Sequence, residues 1–400
     1  MTTKTMLLNN VTAIDVGFLT AQGVFGASVR PSFLITGEMS EDEQVVVDFS
    51  TIKKSIKELI DHKELGIDHK TIVIGPAFPK PEDDDNFTVT MGGPVGGSVR
   101  MTAPEDAFVF LSERCPHALS EDWNTKGKLL SDCVVVDRHG GLVSPERFVI
   151  PLVQELLSRE LPKLFPPLTD IKVFYSKDVT APLQPSHIRV GAMFRGADHD
   201  PMMDTLVEDN IRLTYSHGLP RSTSWGCQNI LHGHVSVVTL AMPHSRADHT
   251  QAILLEIRHD LAGKYLVAER DVLPADDEPS VLDDEDAVLE GTDEDQDANS
   301  DDLMDAHTMS EDDAPDEVDD VAIQGTNIGF ESMSRGSFSL FLPHGSTQIK
   351  VMPTDTTVEN IAQYIWDTHV QPAIEAYELT DVSMYVSEGL DKGAFIRQQV

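Results

Sequence analysis

The 400 residues carry 30 Lys and Arg against 67 Asp and Glu, a formal net charge of −37, and the length suits two domains of roughly 150 residues or more. That charge argues against binding nucleic acid or an anionic membrane by bulk attraction. Asp276 to Asp320 contains 22 Asp and Glu and no Lys or Arg, so more than half of the net charge sits in one segment. Such a stretch buries too little apolar surface to offset the entropy of ordering, and a disordered acidic insertion is expected over 275–322. Cys115, Cys133 and Cys227 make neither a disulfide framework nor a CxxC metal site, which fits reduced thiols in a cytoplasm. No apolar run reaches 18 residues, so neither a signal peptide nor a membrane span is expected.

In chain order, SFLITGEMSEDEQVVVDF reads as two strands around a polar turn, a hairpin. Ile52, Ile56, Leu59 and Ile60 follow at helical spacing. Between 75 and 143, Gly- and Pro-rich loops surround the strand candidates FTVTM, AFVFL and CVVVD. A helix is then predicted with Ser144 as N-cap, Pro145 in its first turn and Phe148, Leu152, Leu156 and Leu157 on one face, ahead of the strand IKVFYS. The second half repeats this order in kind. IRLTYS, HVSVVTL and AILLEI read as strands and DLAGKYLVAE as a short helical piece. The acidic segment, the strand SFSLFLP, a helix opening at Thr356-Thr357-Val358-Glu359 and the strand VSMYVS complete it. Each half ends in helix then strand, and duplication of one β-rich unit accounts for the pattern.

The densest chemical signal is TYSHGLPRSTSWGCQNILHGHVSVVTL. His232 and His234 are two apart in a strand, so both side chains fall on one face. His217 ends the preceding strand, and a hairpin returns it beside them. Three imidazoles with one open position suit catalytic zinc. Cys227 lies in the intervening loop, placed to act as a thiolate base or nucleophile. Two Asp-His pairs, Asp61-His62 and Asp68-His69, follow the amphipathic helix, and an Asp that orients a His prepares a general acid or base. Glu388 ends the last strand, where a buried carboxylate can accept two parallel N–H donors.

Together with VVDFSTIKK and PTDTTVENIAQYIW, these residues resemble the 6-pyruvoyltetrahydropterin synthase / 6-carboxytetrahydropterin synthase family, in its tandem bacterial subgroup. The resemblance implies an α+β fold of two tandem T-fold units, each an antiparallel sheet with helices on one face. The units are expected at 1–187, carrying the Asp-His helix, and at 188–400, carrying the zinc site and the acidic insertion.

By resemblance, His217, His232 and His234 match the zinc ligands, Cys227 the catalytic thiol and Glu388 the pterin anchor. Asp68 and His69 are the preferred catalytic pair, since IDHKTIV is similar to the subgroup's motif, and Asp61-His62 is the fallback. The implied reaction converts 7,8-dihydroneopterin triphosphate to 6-carboxytetrahydropterin, acetaldehyde and triphosphate, on the route to 7-deazaguanines and queuosine. Triphosphate elimination alone, giving 6-pyruvoyltetrahydropterin, and a non-catalytic pterin-binding scaffold are the alternatives. Lys70 and Lys392 are the expected triphosphate cations. The implied partners are the pterin substrate and further copies of the chain, with no nucleic acid and no membrane.

Overall fold

A computed structural model of the chain describes residues 3–40, 45–75, 78–81, 86–92, 97–111, 134–175, 206–243, 247–274, 324–332, 334–389 and 392–398. The acidic segment, Cys115, Cys133 and the expected unit boundary at 187/188 lie outside these residues.

The first half opens with strands β1 (Thr3–Leu8), β2 (Ile14–Thr20), β3 (Gly23–Val29) and β4 (Ser32–Glu38), then helix α1 (Phe49–Ile60). Strands β5 (Thr71–Ile74), β6 (Phe78–Pro81), β7 (Asn86–Gly92), β8 (Ser98–Pro104) and β9 (Phe108–Leu111) follow, and helix α2 (Glu146–Leu164) leads to β10 (Leu168–Phe174). The second half holds β11 (Leu206–His217), β12 (His232–Pro243), helix α3 (Ala247–Leu261), β13 (Lys264–Ala268), β14 (Gly325–Ser332), β15 (Gly336–Pro343) and β16 (Ile349–Met352). Helix α4 (Val358–Ile365) runs through a π turn (Trp366–Val370) into α5 (Gln371–Tyr377), before β17 (Ser383–Glu388) and β18 (Lys392–Arg397).

The two halves share one topology. A long antiparallel hairpin, β11–β12 in the second half and β1–β2 against β4–β3 in the first, is followed by a helix. The strand after that helix lies parallel to the hairpin's first arm, β5 on β2 and β13 on β11. A second hairpin comes next, and then a further parallel strand, β9 on β5 and β16 on β13. The closing helix leads to a strand antiparallel to the hairpin's second arm, β10 on β4 and β17 on β12. The fold is thus α+β with two tandem units, as the T-fold resemblance implies. The second hairpins of both halves join in one sheet of order β14-β15-β8-β7-β6.

Each unit buries its helices on one sheet face. Ile52, Ile56 and Ile60 of α1 and Phe148, Val153 and Leu157 of α2 pack on Phe18, Phe33 and Ile35. Ile253, Leu254, Ile257 and Leu261 of α3, with Ile361 and Ile365 of α4, pack on Leu213, Val238 and Leu240. A third core joins the units, where Leu19, Val24 and Val73 meet Leu231, Tyr265 and Val267. Burying each such side chain contributes about 1.5–3 kcal/mol. Two glycines permit this closeness: a Cβ on Gly26 would stand 2.1 Å from the Tyr215 carbonyl oxygen, and one on Gly233 2.1 Å from the Gly26 Cα.

Several predicted elements differ. AILLEI is not a strand but the middle of α3, because Ile253, Leu254, Ile257 and Leu261 repeat at helical spacing and are buried while Leu255 is exposed. KYLVA, read as helical, is β13. Only the first arm of the predicted SFLITGEMSEDEQVVVDF hairpin forms, since Val46 and Val47 pack against the core and Asp48 caps α1 through the Thr51 amide. Of CVVVD, the described residues 134–137 make only an isolated bridge, Val136 to Leu142, around a turn in which the Asp137 carboxylate accepts from the amides of His139 and Gly141. Pro145, not Ser144, is the N-cap of α2; Ser144 takes a positive φ of 56° and its carbonyl accepts from the Arg147 amide. Thr357 caps α4 by accepting from the Asn360 amide.

Candidate active site

The mouth of the β11–β12 hairpin faces the α1–β5 junction of the other unit, and between them lies a cavity of about 450 Å³ lined by Asp15, Lys57, Asp61, Asp68, His69 and Glu388, among others. His217 and His232 are the last register pair of that hairpin, and His234 lies two residues along on the same face. All three are buried, with ring centroids 4.6 Å (His217–His232), 5.1 Å (His217–His234) and 5.3 Å (His232–His234) apart.

Second contacts orient two of the rings. The His217 Nδ1 lies 2.9 Å from the Thr356 carbonyl and the His232 Nδ1 3.0 Å from the Asn229 carbonyl, so each Nδ1 is the donor and each Nε2 keeps its lone pair. Burial pushes both imidazoles well below their ordinary pKa, which favours the neutral, ligating form. The Nε2 atoms of His217 and His232 and both ring nitrogens of His234 are buried without a hydrogen-bond partner. An orphaned buried polar atom costs about 1–3 kcal/mol, so a cluster of them needs a shared partner. One nitrogen from each ring comes within 4.8 Å of the others, a set able to hold a metal ion.

Asp68 and His69 come from the other unit. The Asp68 carboxylate lies 2.6 Å from His69 Nδ1 and accepts the Asp15 amide at 2.8 Å through its other oxygen. His69 adopts a left-handed φ of 58°, and its amide donates to the Asp15 carbonyl. This turns its ring to within 5.2 Å of His232, centroid to centroid. Burial alone would depress its pKa, but the charge and hydrogen bond of Asp68 raise it well above the ordinary imidazole value.

Cys227 comes up against His69, whose Nε2 is buried without a hydrogen-bond partner. Burial pushes the thiol up, yet the neighbouring His69 outweighs it and holds Cys227 below its ordinary pKa. Cys227 Sγ and a nitrogen each of His69 and His232 fall within 4.8 Å of one another. Close approach needs Gly226, where a Cβ would stand 2.7 Å from the His69 Cβ. Asn229 locks the loop to the first unit, its amide donating to the carbonyls of His69 (3.0 Å) and Ala107 (3.2 Å).

Glu388 opens onto the same cavity, 3.9 Å from His234 and ion-paired with Lys392 at 2.9 Å. Of the two Asp-His pairs, only Asp68-His69 reaches the imidazole cluster. His62 is exposed and its Nδ1 accepts the Glu64 and Leu65 amides, though Asp61 lines the cavity. Lys70 does not serve as the expected cation, because it is buried and donates to the Glu64 carbonyl. Lys57 occupies the cavity wall instead.

Asp15 escaped the sequence reading. It is buried, accepts from the Ser28 hydroxyl and stands 3.4 Å from His234 Nδ1. Burial would raise its pKa, but His234, His69 and Ser28 together lower it to about 2. A single Asp in a strand-like run carries no motif, and only the pairing of the two units brings it here. Thr356 and Asn229, which orient His217 and His232, were equally silent.

Among the described residues no helix is long and apolar enough to cross a membrane. No protein-family model and no curated protein matches the chain. Among solved structures, 6-pyruvoyltetrahydropterin synthase from Plasmodium vivax is similar at 15% identity over 44% of this chain and 92% of its own, with a TM-score of 0.27. The enzyme from Plasmodium falciparum is similar at 12% identity over 49% of this chain and 100% of its own, with a TM-score of 0.29. Superpositions this loose constrain neither fold nor chemistry, which rest on the topology and distances above.

Proposed function

We propose that the chain is a zinc-dependent lyase acting on a pterin triphosphate, in the manner of a 6-carboxytetrahydropterin synthase. The observation that carries this reading is the convergence of partnerless buried nitrogens from His217, His232 and His234 beside the Cys227–His69–Asp68 relay. Three imidazoles are the donor set of catalytic zinc, and the second contacts on His217 and His232 are those expected around such a metal. Zinc bound there supplies Lewis acidity toward substrate hydroxyls.

The chain's own residues do the rest. Glu388 accepts two N–H donors from the pterin edge, and Lys392, its ion-pair partner and largely exposed, swings toward the triphosphate together with Lys57. Cys227 takes a proton from the substrate side chain, and His69, held by Asp68, passes protons to and from that thiol. Asp15 holds the His234 ring from the side away from Glu388. We further infer that the unit at 1–187 supplies Asp68 and His69, and the unit at 188–400 Cys227 and the metal ligands. With one water consumed, the products are 6-carboxytetrahydropterin, acetaldehyde and triphosphate.

The test is incubation of zinc-loaded protein with 7,8-dihydroneopterin triphosphate, reading products by mass, beside Cys227→Ala. Acetaldehyde and 6-carboxytetrahydropterin are expected, with turnover falling about 10²–10⁴-fold in the variant, the range of a lost general base. A 6-pyruvoyl product without acetaldehyde assigns elimination alone. No pterin product from folded, zinc-loaded protein contradicts the reading.

A further inference from the structure

The duplication creates a second, differently furnished counterpart of the active-site cavity. At the mouth of the β2–β3 hairpin the last register pair is Thr20–Gly23, the place His217–His232 hold in β11–β12. Phe25, opposite Phe18, stands where His234 stands opposite Tyr215. The metal-binding set is therefore absent from this hairpin. The facing element is the α3–β13 junction, which corresponds to the α1–β5 junction that carries Asp68 and His69.

Between these elements lies a cavity of about 670 Å³, larger than the active-site cavity. Gln22 and Phe25 come from the hairpin and Arg258, His259 and Lys264 from the α3–β13 junction, while Arg138 and His139 close one side. Arg138, Arg258 and Lys264 concentrate positive charge in a chain whose net charge is −37. Among the described residues none of the three has an ion-pair partner. Arg258 Nε is buried with no hydrogen-bond partner at all. The nearest carboxylate of the turn, Asp137, is turned away onto the amides of His139 and Gly141. Arg138 Nε donates to His139 Nε2 at 3.0 Å, which braces the guanidinium at the rim.

A buried guanidinium nitrogen such as Arg258 Nε costs desolvation unless an anion completes it, and guanidinium forks match phosphate oxygens in pairs. We propose that this cavity is a binding site for a small molecule bearing a di- or triphosphate group, held by Arg138, Arg258 and Lys264. The volume exceeds what inorganic phosphate fills and lies in the range of organic ligand pockets. The site stands independently of the reaction assigned to the other cavity.

Calorimetric titration of the full chain with inorganic pyrophosphate and with ADP tests this. Three proteins are compared: wild type, Arg138→Gln/Arg258→Gln, and Lys57→Gln/Lys392→Gln, which strips cations from the active-site cavity. The replaced arginines lie outside the three cores, and circular dichroism of each variant checks its fold. Saturable binding of either probe is expected, weakening with added salt. Affinity should fall about tenfold or more in the arginine double variant and persist in the lysine double variant. Absence of saturable binding to both probes overturns the proposal. So does binding that survives the arginine changes or is lost with the lysine changes.

Discussion

Gly226 shows how narrowly one residue sets the packing of the candidate site. With no Cβ it lets the Cys227 loop lie against the His69 ring, where a methyl group would meet the His69 Cβ at 2.7 Å and Cγ at 2.9 Å. His69 cannot yield readily, because its backbone is fixed to Asp15 and its Nδ1 to Asp68. Gly226→Ala should therefore destabilise the protein by about 1–3 kcal/mol, the usual cost of overpacking. It should also lower turnover more than substrate affinity. Urea denaturation and steady-state kinetics of the variant check both, and an unchanged kcat contradicts the placement of His69 in the relay.

At the scale of elements, the end of α3 is held by a polar cluster rather than by packing alone. Asp260 accepts from Lys350 of β16 at 2.6 Å, from the Tyr364 hydroxyl of α4 at 2.8 Å and from His369 of the π turn at 3.0 Å. Burial would raise its pKa, but the bonds from His369, Lys350 and Tyr364 outweigh it and hold the carboxyl well below the usual range. A depressed folded-state pKa gives stability that is complete above the unfolded value, near 3.9, and lost as pH falls through the folded one. Asp260→Asn should thus cost stability at pH 7, and its deficit against wild type should shrink as pH drops below about 4. Denaturant midpoints at pH 7, 5 and 3 measure this; a deficit that grows toward acid contradicts the cluster's role.

The same elements show what the sequence could reveal. His217, Cys227, His232 and His234 lie within one hairpin, so strand alternation and loop spacing were enough to bring them together. Asp68-His69 was legible as an oriented pair, but its destination was not, because a contact across units has no local signal. Asp15 and Arg258 were invisible for that reason. AILLEI misled because a short apolar run carries no period of its own, and only Ile257 and Leu261 further on reveal the helical face. CVVVD has strand propensity but no ladder to join, and the Asp137 turn reverses the chain before one forms.

For the whole molecule, duplication divides labour instead of repeating it. The hairpin of the second unit presents three histidines where that of the first presents Thr20, Gly23 and Phe25. The α1–β5 junction presents Asp68 and His69, while its counterpart at α3–β13 carries Arg258 and Lys264. One chain should then contain one metal site and not two. Among the described residues β14 and β18 end their sheets, and such edges commonly pair with another chain.

The decisive measurement is zinc content per chain, by metal analysis of the purified protein after dialysis, set beside turnover in the same samples. One zinc per 400-residue chain is predicted for the wild type. His217→Ala, His232→Ala and His234→Ala should each lose it together with turnover. His69→Ala should keep the zinc and lose turnover, since the proposed relay draws its ring from the other unit. Two zinc ions per chain, none, or zinc retained undiminished in His232→Ala would contradict a single metal centre held by the second unit.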